Sequence, residues 1–198
     1  MDKVFSQLTG LGSRRVLKEL LQSPFTLHDT VVSMIRAEAR AARAGKSARI
    51  MVKLNSLLEP IVIQELYKAS QAGVKIDLII RGVCALRSGV PGLSENSTVR
   101  SIIGRFLEHS RVFYFYNQGV ESVYLSSADW MVRNLDHRVE TAIPIIDSNI
   151  QQELKDIIHI QLRDNVKARI LNQDLSNNYV PSAGKRQVRS QIETDHYL

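Results

Sequence analysis

The chain has 198 residues, of which 44% are hydrophobic and 23% are charged, and its formal net charge is +6. This balance predicts a folded globular protein with one main domain and excludes an intrinsically disordered chain. The excess of positive charge favours polyanionic partners such as nucleic acid, anionic lipid, nucleotides or polyphosphate, because the summed field of the protein concentrates anions near its surface.

Neither a membrane span nor a signal peptide is predicted. No apolar run approaches the roughly 20 residues that cross a bilayer, and the first residues lack the charged start and apolar stretch of a signal peptide. We therefore expect a cytoplasmic location. Cys84 is the only cysteine, which excludes an internal disulfide and a cysteine metal cluster.

The chain opens with a predicted helical arm over residues 1–46. Residues 14–22 and 30–44 carry apolar side chains at helical spacing, which predicts two helices. Pro24 separates them, and Thr26 is a candidate N-cap for the second helix.

A βαβ unit follows. Residues 49–54 and 74–80 have the pattern of strands, and residues 60–72 have the pattern of a helix between them. Pro60 in the first turn and Gly73 just past the end are favoured boundary residues, because proline has no N–H to leave unpaired and glycine tolerates a positive φ.

The rest of the chain predicts a mixed sheet. In order, the patterns predict a strand at 99–103, a short helix at 105–108, strands at 112–116 and 122–126, a helical turn at 128–134, a strand at 138–146, a helix at 150–164 and a strand at 167–171. The expected fold is α/β, a mixed sheet flanked by helices, with the main domain over residues 47–171. The polar, basic tail over 172–198 is expected to be loop-like and to pack on or near that domain.

Polar side chains stand where two neighbouring strands end. Lys53 and Asn55 lie at the end of the first strand, and Arg81 follows the next one. Ligands of α/β sheets collect outside the carboxyl ends of strands, and a guanidinium there can hold phosphate oxygens through two parallel hydrogen bonds. The pattern predicts a nucleotide or phosphate site; a structural salt bridge of Arg81 is the alternative reading.

Other polar residues are candidates for chemistry. His109 stands between a predicted helix and a strand, and histidine can exchange protons or phosphate near neutral pH; a satisfied structural histidine is the alternative. Asn134, Asp136 and Arg138 are candidates for orienting neighbouring polar groups. The histidines have no spacing typical of a metal site, so no metal ligand is predicted on this chain.

Several motifs, taken in order, resemble one known family. They are Lys-Leu-Asn-Ser-Leu at 53–57, Leu-Ile-Ile-Arg-Gly at 78–82, Gly-Leu-Ser-Glu-Asn at 92–96, Phe-Leu-Glu-His-Ser-Arg at 106–111, Tyr-Leu-Ser-Ser-Ala-Asp-Trp-Met at 124–131, Arg-Asn-Leu-Asp at 133–136, Val-Lys-Ala-Arg at 166–169 and Asn-Tyr-Val-Pro at 178–181. From about Ser23 onward the chain resembles the C-terminal part of the histidine-phosphorylating polyphosphate kinases of bacteria.

The resemblance implies a fold and an activity. The C-terminal half of this family resembles two tandem phospholipase D-like domains, and this chain is similar to the second. In the family a histidine takes the γ-phosphate of ATP and passes it to polyphosphate, reversibly and with Mg²⁺. The phosphorylated histidine and the magnesium ligands are expected to precede Met1, so we expect the isolated chain not to synthesise polyphosphate at a normal rate.

The resemblance also implies roles and partners. Arg81 resembles the arginine that binds nucleotide phosphate, and His109 resembles the second active-site histidine that assists transfer. The implied partners are ATP, ADP, inorganic polyphosphate, the missing N-terminal part of the enzyme and further copies of it in a homo-oligomer, with no nucleic acid. Peripheral membrane association of the full-length enzyme is a further expectation.

The residues alone leave two other functions open. Ser-Ser-Ala-Asp at 126–129 and the implied fold are similar to phospholipase D-like phosphodiesterases, but their His-x-Lys signature is missing, since His109 is followed by Ser110 and Arg111. A non-catalytic module that binds polyanions is the third possibility for the isolated fragment.

Overall fold

The computed structural model describes residues 20–174 and 176–198 of the protein. The strands in this part are β1 (Leu21–Gln22), β2 (Arg49–Leu54), β3 (Lys75–Ile80), β4 (Ser97–Ile102), β5 (Arg111–Phe115), β6 (Ser122–Ser126), β7 (Thr141–Pro144), β8 (Ala168–Ile170) and β9 (Asn178–Tyr179). The α-helices are α1 (Leu27–Arg43), α2 (Pro60–Gln71), α3 (Ser148–Leu162) and α4 (Ser190–Tyr197). None of these described helices is long and apolar enough to cross a bilayer.

The described strands form one nine-stranded sheet in the order β1-β7-β6-β5-β2-β3-β4-β8-β9. The central strands β2, β3 and β4 run parallel to one another, while the remaining neighbours are antiparallel. The predicted mixed sheet flanked by helices is therefore confirmed.

The βαβ unit of β2, α2 and β3 forms as the sequence predicts. Glu59 caps α2, because its carboxylate accepts a hydrogen bond from the Val62 N–H at 2.5 Å, and Pro60 occupies the first turn. Gly73 ends the connection with a φ of +95°, a conformation that glycine adopts readily. The helix is thus held by local chemistry at both ends, and β2 and β3 lie side by side.

One face of the sheet carries the larger core. Because side chains alternate along a strand, Ile50, Val52 and Leu54 of β2 all point to this face and are buried beneath α1 and α2. Trp130 is completely buried there against Phe113, with ring centroids 5.1 Å apart and planes tilted by 53°, a favourable aromatic arrangement.

The opposite face carries a smaller core beneath α3. Met51 of β2 and Ile79 of β3 pack against it together with Ile158 of α3. The same alternation that sends Met51 to this face also sends Lys53 there. The second face therefore combines apolar packing with polar groups near the ends of the central strands.

The N-terminal segment differs from the helical arm predicted for it. Residues 14–19 lie outside the described residues, but Leu21 and Gln22 form an edge strand against β7 rather than the end of a helix. Helix α1 begins at Leu27, earlier than expected. Thr26 is its N-cap residue, as predicted, but the Thr26 hydroxyl bonds to the Gln22 backbone and makes no capping hydrogen bond to the helix. Pairing with β7 outweighs the local helical pattern because it satisfies backbone groups of this segment.

Two further local predictions are wrong. Residues 105–108 form no helix, and the helical turn expected over 128–134 lies over Arg133–His137 instead. The Trp130 carbonyl accepts hydrogen bonds from the Leu58 and Glu59 N–H groups at 2.8 and 3.0 Å. This tertiary pairing keeps the backbone at Trp130 out of a helical turn, so the turn begins only after it.

The tail is more ordered than its composition indicates, since it contains β9 and α4. Asp164, completely buried, organises it: one carboxylate oxygen accepts the N–H groups of Val166, Lys167 and Ala168, and the other accepts the N–H and hydroxyl of Ser190. Burial alone would raise the pKa of Asp164, but these hydrogen bonds outweigh it and the pKa lies below its ordinary value. A buried carboxylate thus fixes α4 to the domain.

Candidate functional site

The predicted polar residues meet where β2 and β3 end. The strands are parallel, with Lys53 beside Ile79 and Leu54 beside Ile80, and the pairing continues as the Arg81 N–H donates to the Leu54 carbonyl at 3.2 Å. The carboxyl ends of both strands therefore lie at one edge of the sheet. We call the group of Lys53, Asn55, Arg81, His109, Arg111 and Asp129 at this edge the strand-end site.

Lys53 is a buried cation held by the segment that carries His109. Its ammonium pairs with the carboxylate of Glu108 and donates to the Ser110 hydroxyl at 2.9 Å. Burial lowers the pKa of Lys53; Glu108 acts in the opposite direction, while the nearby charge of Arg81 lowers it further. Lys53 and Arg81, the two cations predicted to bind one anion, lie at the ends of neighbouring parallel strands.

Glu108 also joins two helices to this segment. Its carboxylate accepts hydrogen bonds from Gln161 of α3 at 2.7 Å and from Gln191 of α4 at 2.9 Å. Gln191 also pairs with the backbone of Phe106, accepting from its N–H at 3.1 Å and donating to its carbonyl at 2.7 Å. The segment before His109 is therefore held by side chains, which is why it forms no helix.

Gly104 makes this attachment possible. A Cβ at this position would lie 2.1 Å from Oε1 of Gln191, closer than atoms can approach. The missing side chain lets the Gln191 amide lie against the backbone. Sequence reasoning missed Gln161 and Gln191, because helical residues distant along the chain carry no local signal of this contact.

Arg81 and Asn55 bring buried hydrogen-bond donors to the strand-end site. Asn55 is 6% exposed and its Nδ2 has no partner among the described residues; the same holds for the buried Nε of Arg81. Buried donors are nearly always satisfied in folded proteins, by protein groups, water or ligands. These two are therefore candidates for holding the oxygens of a bound anion.

His109 is exposed, and hydrogen bonds and one ion pair link it to the residues that follow β2. Arg111 donates to the His109 carbonyl at 3.0 Å and lies 3.3 Å from its Nε2, while its other contact is an ion pair with Asp129 at 2.8 Å. Asp129 in turn accepts the N–H groups of Asn55 and Ser56 at 2.7 and 3.2 Å. The imidazole is thus positioned at the same edge as Asn55.

Asp129 is the negative charge of this chain of contacts. Burial alone would raise the pKa of Asp129, but Arg111 and the backbone N–H of Asn55 outweigh it, and the pKa lies below its ordinary value. The carboxylate is therefore ionised at neutral pH. The small residues that precede it in Ser-Ser-Ala-Asp were a visible signal, yet the sequence did not show that Asp129 pairs with Arg111.

The structure does not bring Asn134, Asp136 and Arg138 into contact with Arg81 or His109. Asn134 is buried and donates to Glu140 at 2.7 Å, and Asp136 lies 3.0 Å from Nδ1 of His28. Arg138 is exposed. Glu140 also accepts the Ser127 hydroxyl, two residues before Asp129, so any orienting effect of Asn134 reaches the site only through that contact.

The carboxylates of the site do not fit a magnesium ion. Asp129 is engaged by Arg111 and two N–H groups, and Glu108 by Lys53 and two glutamine amides. Over residues 20–174 and 176–198, no three His, Cys, Asp or Glu side chains are grouped to hold a metal. What the edge offers is positive charge and hydrogen-bond donors, which suit phosphate oxygens.

Comparisons with known proteins show the family of the chain. The family model described as polyphosphate kinase C-terminal domain 2 matches residues 20–191. Polyphosphate kinases of Burkholderia ambifaria and Paraburkholderia phytofirmans are 59% and 60% identical to the chain over 172 residues, which is 86% of this chain and 25% of each relative. The chain thus spans about a quarter of the length of these curated relatives.

Solved structures give the same result. Polyphosphate kinase from Porphyromonas gingivalis superposes with a TM-score of 0.94 at 39% identity, over 99% of this chain and 30% of that one. A phospholipase D family member from Salmonella typhimurium matches with a TM-score of 0.55 at 15% identity, over 78% of this chain and 97% of that one. The second likeness shows a shared fold alone, and it confirms the phospholipase D-like fold.

Proposed function

The chain belongs to the polyphosphate kinase family and corresponds to the C-terminal domain of that family, and we propose that the strand-end site of the chain binds phosphate and assists phosphoryl transfer between ATP and inorganic polyphosphate. The single observation that carries the proposal is the meeting of Arg81, Asn55 and His109 at one sheet edge, with buried donors of Arg81 and Asn55 left without protein partners.

Each residue has a distinct part in the proposed reaction. In the first step, a histidine ring nitrogen outside this chain attacks the γ-phosphorus of ATP, and the bond between that phosphorus and ADP breaks. In the second step, a terminal oxygen of polyphosphate attacks the same phosphorus, and the phosphorus–nitrogen bond breaks. The guanidinium of Arg81 and the amide of Asn55 hold phosphate oxygens as charge moves between them. Such transfers depend on positioned positive charge more than on covalent chemistry of the surrounding residues.

His109 stands beside the phosphate in this proposal. The contact with Arg111 makes Nε2 the hydrogen-bond acceptor of the ring, so a neutral His109 carries its proton on Nδ1. From there the imidazole can donate to an oxygen of the leaving or attacking group. Arg111 and Asp129 hold the histidine at the edge.

Lys53 remains a predicted phosphate ligand, but its contacts indicate a second, structural role. Its ammonium is already neutralised by Glu108 and bonded to Ser110. The pair therefore holds the His109 segment against β2, and only a phosphate that competes with Glu108 would bind Lys53 directly. Asn134, Asp136 and Arg138 stay proposals for indirect positioning.

The rest of the reaction lies outside this chain. We propose that the missing N-terminal part supplies the phosphorylated histidine and the ligands of Mg²⁺, that the full enzyme works as a homo-oligomer on ATP, ADP and polyphosphate, and that it is cytoplasmic. The domain division at residues 47 and 171 is part of the same proposal, although Leu27 and Ile35 of α1 belong to the larger core.

Reconstitution tests the proposed function. The fragment is mixed with the missing N-terminal portion, and transfer of labelled phosphate from ATP is followed for wild type, Arg81→Ala and His109→Ala. Each substitution is expected to lower the rate by about 10²–10³. Arg43→Ala and His137→Ala, two exposed residues away from the site, are the matched controls; equal rates in all four variants would remove the assignment.

The phosphodiesterase alternative has a separate test. Arg111 stands where the phospholipase D signature has lysine, and it is engaged by Asp129 and the His109 carbonyl. We expect no hydrolysis of bis(p-nitrophenyl) phosphate by the fragment. Binding of phosphate by the isolated fragment without any turnover would support the non-catalytic module for the fragment alone.

A further inference from the structure

A polar groove lies at the opposite ends of the central strands. It runs between α3 and the amino ends of β2 and β3, on the face that carries the smaller core, and it extends to Arg100, which lies farther along β4 in register with Ile79. Two cavities of about 460 and 680 Å³ form it, and both are lined by Arg49, Lys75 and His159. We call this space the α3 groove.

Cations line both walls of the α3 groove. Its five Lys and Arg residues are Arg49, Lys75 and Arg100 on the strands, Lys155 on α3 and Arg163 just past the end of α3. The carboxylates that line it belong to Asp77, Glu121 and Asp156. His159 adds no charge at neutral pH, since burial and Arg49 lower its pKa. The balance of five cations and three carboxylates leaves the groove positive.

Several of these cations keep donors available. One guanidinium nitrogen of Arg49 lies 2.9 Å from a carboxylate oxygen of Asp77, but the buried Nε of Arg49 has no partner among the described residues. Lys155 is paired with Glu121 at 2.5 Å. In the described part of the chain, the side chains of Lys75, Arg100 and Arg163 form neither a salt bridge nor a hydrogen bond. An anion in the groove would supply the missing acceptors.

The groove is separate from the strand-end site. Arg49 precedes Lys53 by four residues on β2, a distance of roughly 13 Å along a strand. Between them the smaller core closes the face, with Met51 and Ile79 packed beneath Ile158. One phosphate group bound at Arg49 and Lys75 therefore cannot reach Lys53, while Arg100, in register with Ile79, lies at the end of the groove nearer to the strand-end site.

We propose that the α3 groove is a second anion site, which binds an inorganic oligophosphate such as tripolyphosphate. Its cations extend from β2 to β4, about 10 Å apart across two strand spacings, and they face others on α3. That span exceeds one phosphate group and suits a chain with repeated negative charges. The choice of oligophosphate as the ligand rests on the proposed function; the groove itself does not.

Calorimetric titration of the 198-residue chain with tripolyphosphate tests the proposal. Two sites are expected for wild type. Lys75→Gln combined with Arg163→Gln should weaken one of them about tenfold or more and leave the other unchanged, whereas Arg81→Ala should do the reverse. Both groove substitutions are at exposed residues, and Lys185→Gln, an exposed lysine of the tail, is the matched control.

The outcomes separate the two proposals. Binding by the groove variant equal to that of Lys185→Gln would overturn the groove while leaving the strand-end site standing. Loss in the groove variant together with no effect of Arg81→Ala would support the groove and count against phosphate binding at the strand ends. Arg100→Gln, with an unchanged melting temperature as the check on folding, should weaken the same site as the double variant.

Competing ligands identify the chemistry. Orthophosphate should bind the groove more weakly than tripolyphosphate because it reaches fewer of the cations. ATP tests whether the site selects a nucleotide, and single-stranded DNA tests whether it selects nucleic acid. Tighter binding of either than of tripolyphosphate, lost in the groove variant, would contradict an oligophosphate site.

Discussion

The two faces of the sheet are filled by different chemistry. Beneath α1 and α2 lies a core of aliphatic and aromatic side chains around Trp130 and Phe113. Beneath α3 and α4, a smaller core is flanked at one end by Lys53 and Glu108 and at the other by the α3 groove. Strand β2 contributes side chains to both faces, because alternate residues of a strand point to opposite sides of the sheet. Side-chain direction within a single strand can therefore separate residues that stabilise the fold from residues that line a polar site.

The largest expected effect is on the first face. Trp130→Ala should lower the free energy of unfolding by about 3–5 kcal/mol, because it removes a completely buried ring and leaves a cavity. Urea denaturation measures this. Ile146→Ala, at a residue that is 80% exposed, is the control and should change stability by less than about 0.5 kcal/mol. Similar losses in both variants would contradict the role of Trp130 in the larger core.

A buried carboxylate, Asp164, fixes α4 beside the second face. Asp164→Asn should cost about 2 kcal/mol, because hydrogen bonds to a charged group weaken, and it should release α4 through loss of the Ser190 contacts. Limited proteolysis of the tail and urea denaturation report the two effects. Asp174→Asn, an exposed substitution in the same tail, should behave as wild type; a tail that is cleaved equally in both would contradict the role of Asp164.

Gln191 tests how the second face supports the site. Gln191→Leu removes the amide that bonds Phe106 and Glu108, so the Phe106 N–H should exchange with solvent at least about tenfold faster. In the reconstituted enzyme the rate of transfer should fall while the melting temperature changes little.

The control for Gln191 is Gln187→Leu, an exposed glutamine of the tail. Equal exchange of the Phe106 N–H in both variants would show that α4 does not hold the segment. A fall in transfer rate that accompanies a general loss of stability would indicate a structural role only.

The smallest effect is a pH dependence. The folded pKa of Asp129 lies below its ordinary value, so the unfolded state binds this proton more readily and ionised Asp129 stabilises the fold. That stabilisation is fully present above the ordinary aspartate pKa of about 3.9 and is lost as the pH falls through the folded pKa. Wild type should exceed Asp129→Asn in stability at pH 7, with the gap closing in acid; a gap independent of pH would contradict the ion pair with Arg111.

The sequence predicts elements whose signals are local. The βαβ unit is predicted within a residue or two, since Pro60 and Gly73 mark the helix boundaries. Prediction from the sequence fails where contacts with distant residues determine the local structure. Residues 21–22 pair with β7, and the tail helix depends on Asp164. In both cases the partner lies more than 20 residues away along the chain, so no short pattern reveals it.

The same distinction applies to the site. Lys53, Asn55 and Arg81 are predictable because strand ends are predictable, and parallel strands bring their ends together. Asp129 and Gln191 are not, because their contacts with Arg111 and Phe106 arise only from the folded chain. The residues that hold the site in place are therefore harder to predict than those expected to touch the ligand.

Side-chain NMR is a direct test of the proposal that the carboxyl ends of β2 and β3 form a phosphate site. The chain labelled with ¹⁵N is titrated with ADP, and the Nε–H of Arg81 and the Nδ2 amide of Asn55 are followed. Both donors lack a partner among the described residues, so both resonances should shift together and saturate with one affinity. Saturable ADP binding that leaves both resonances unmoved would contradict the account.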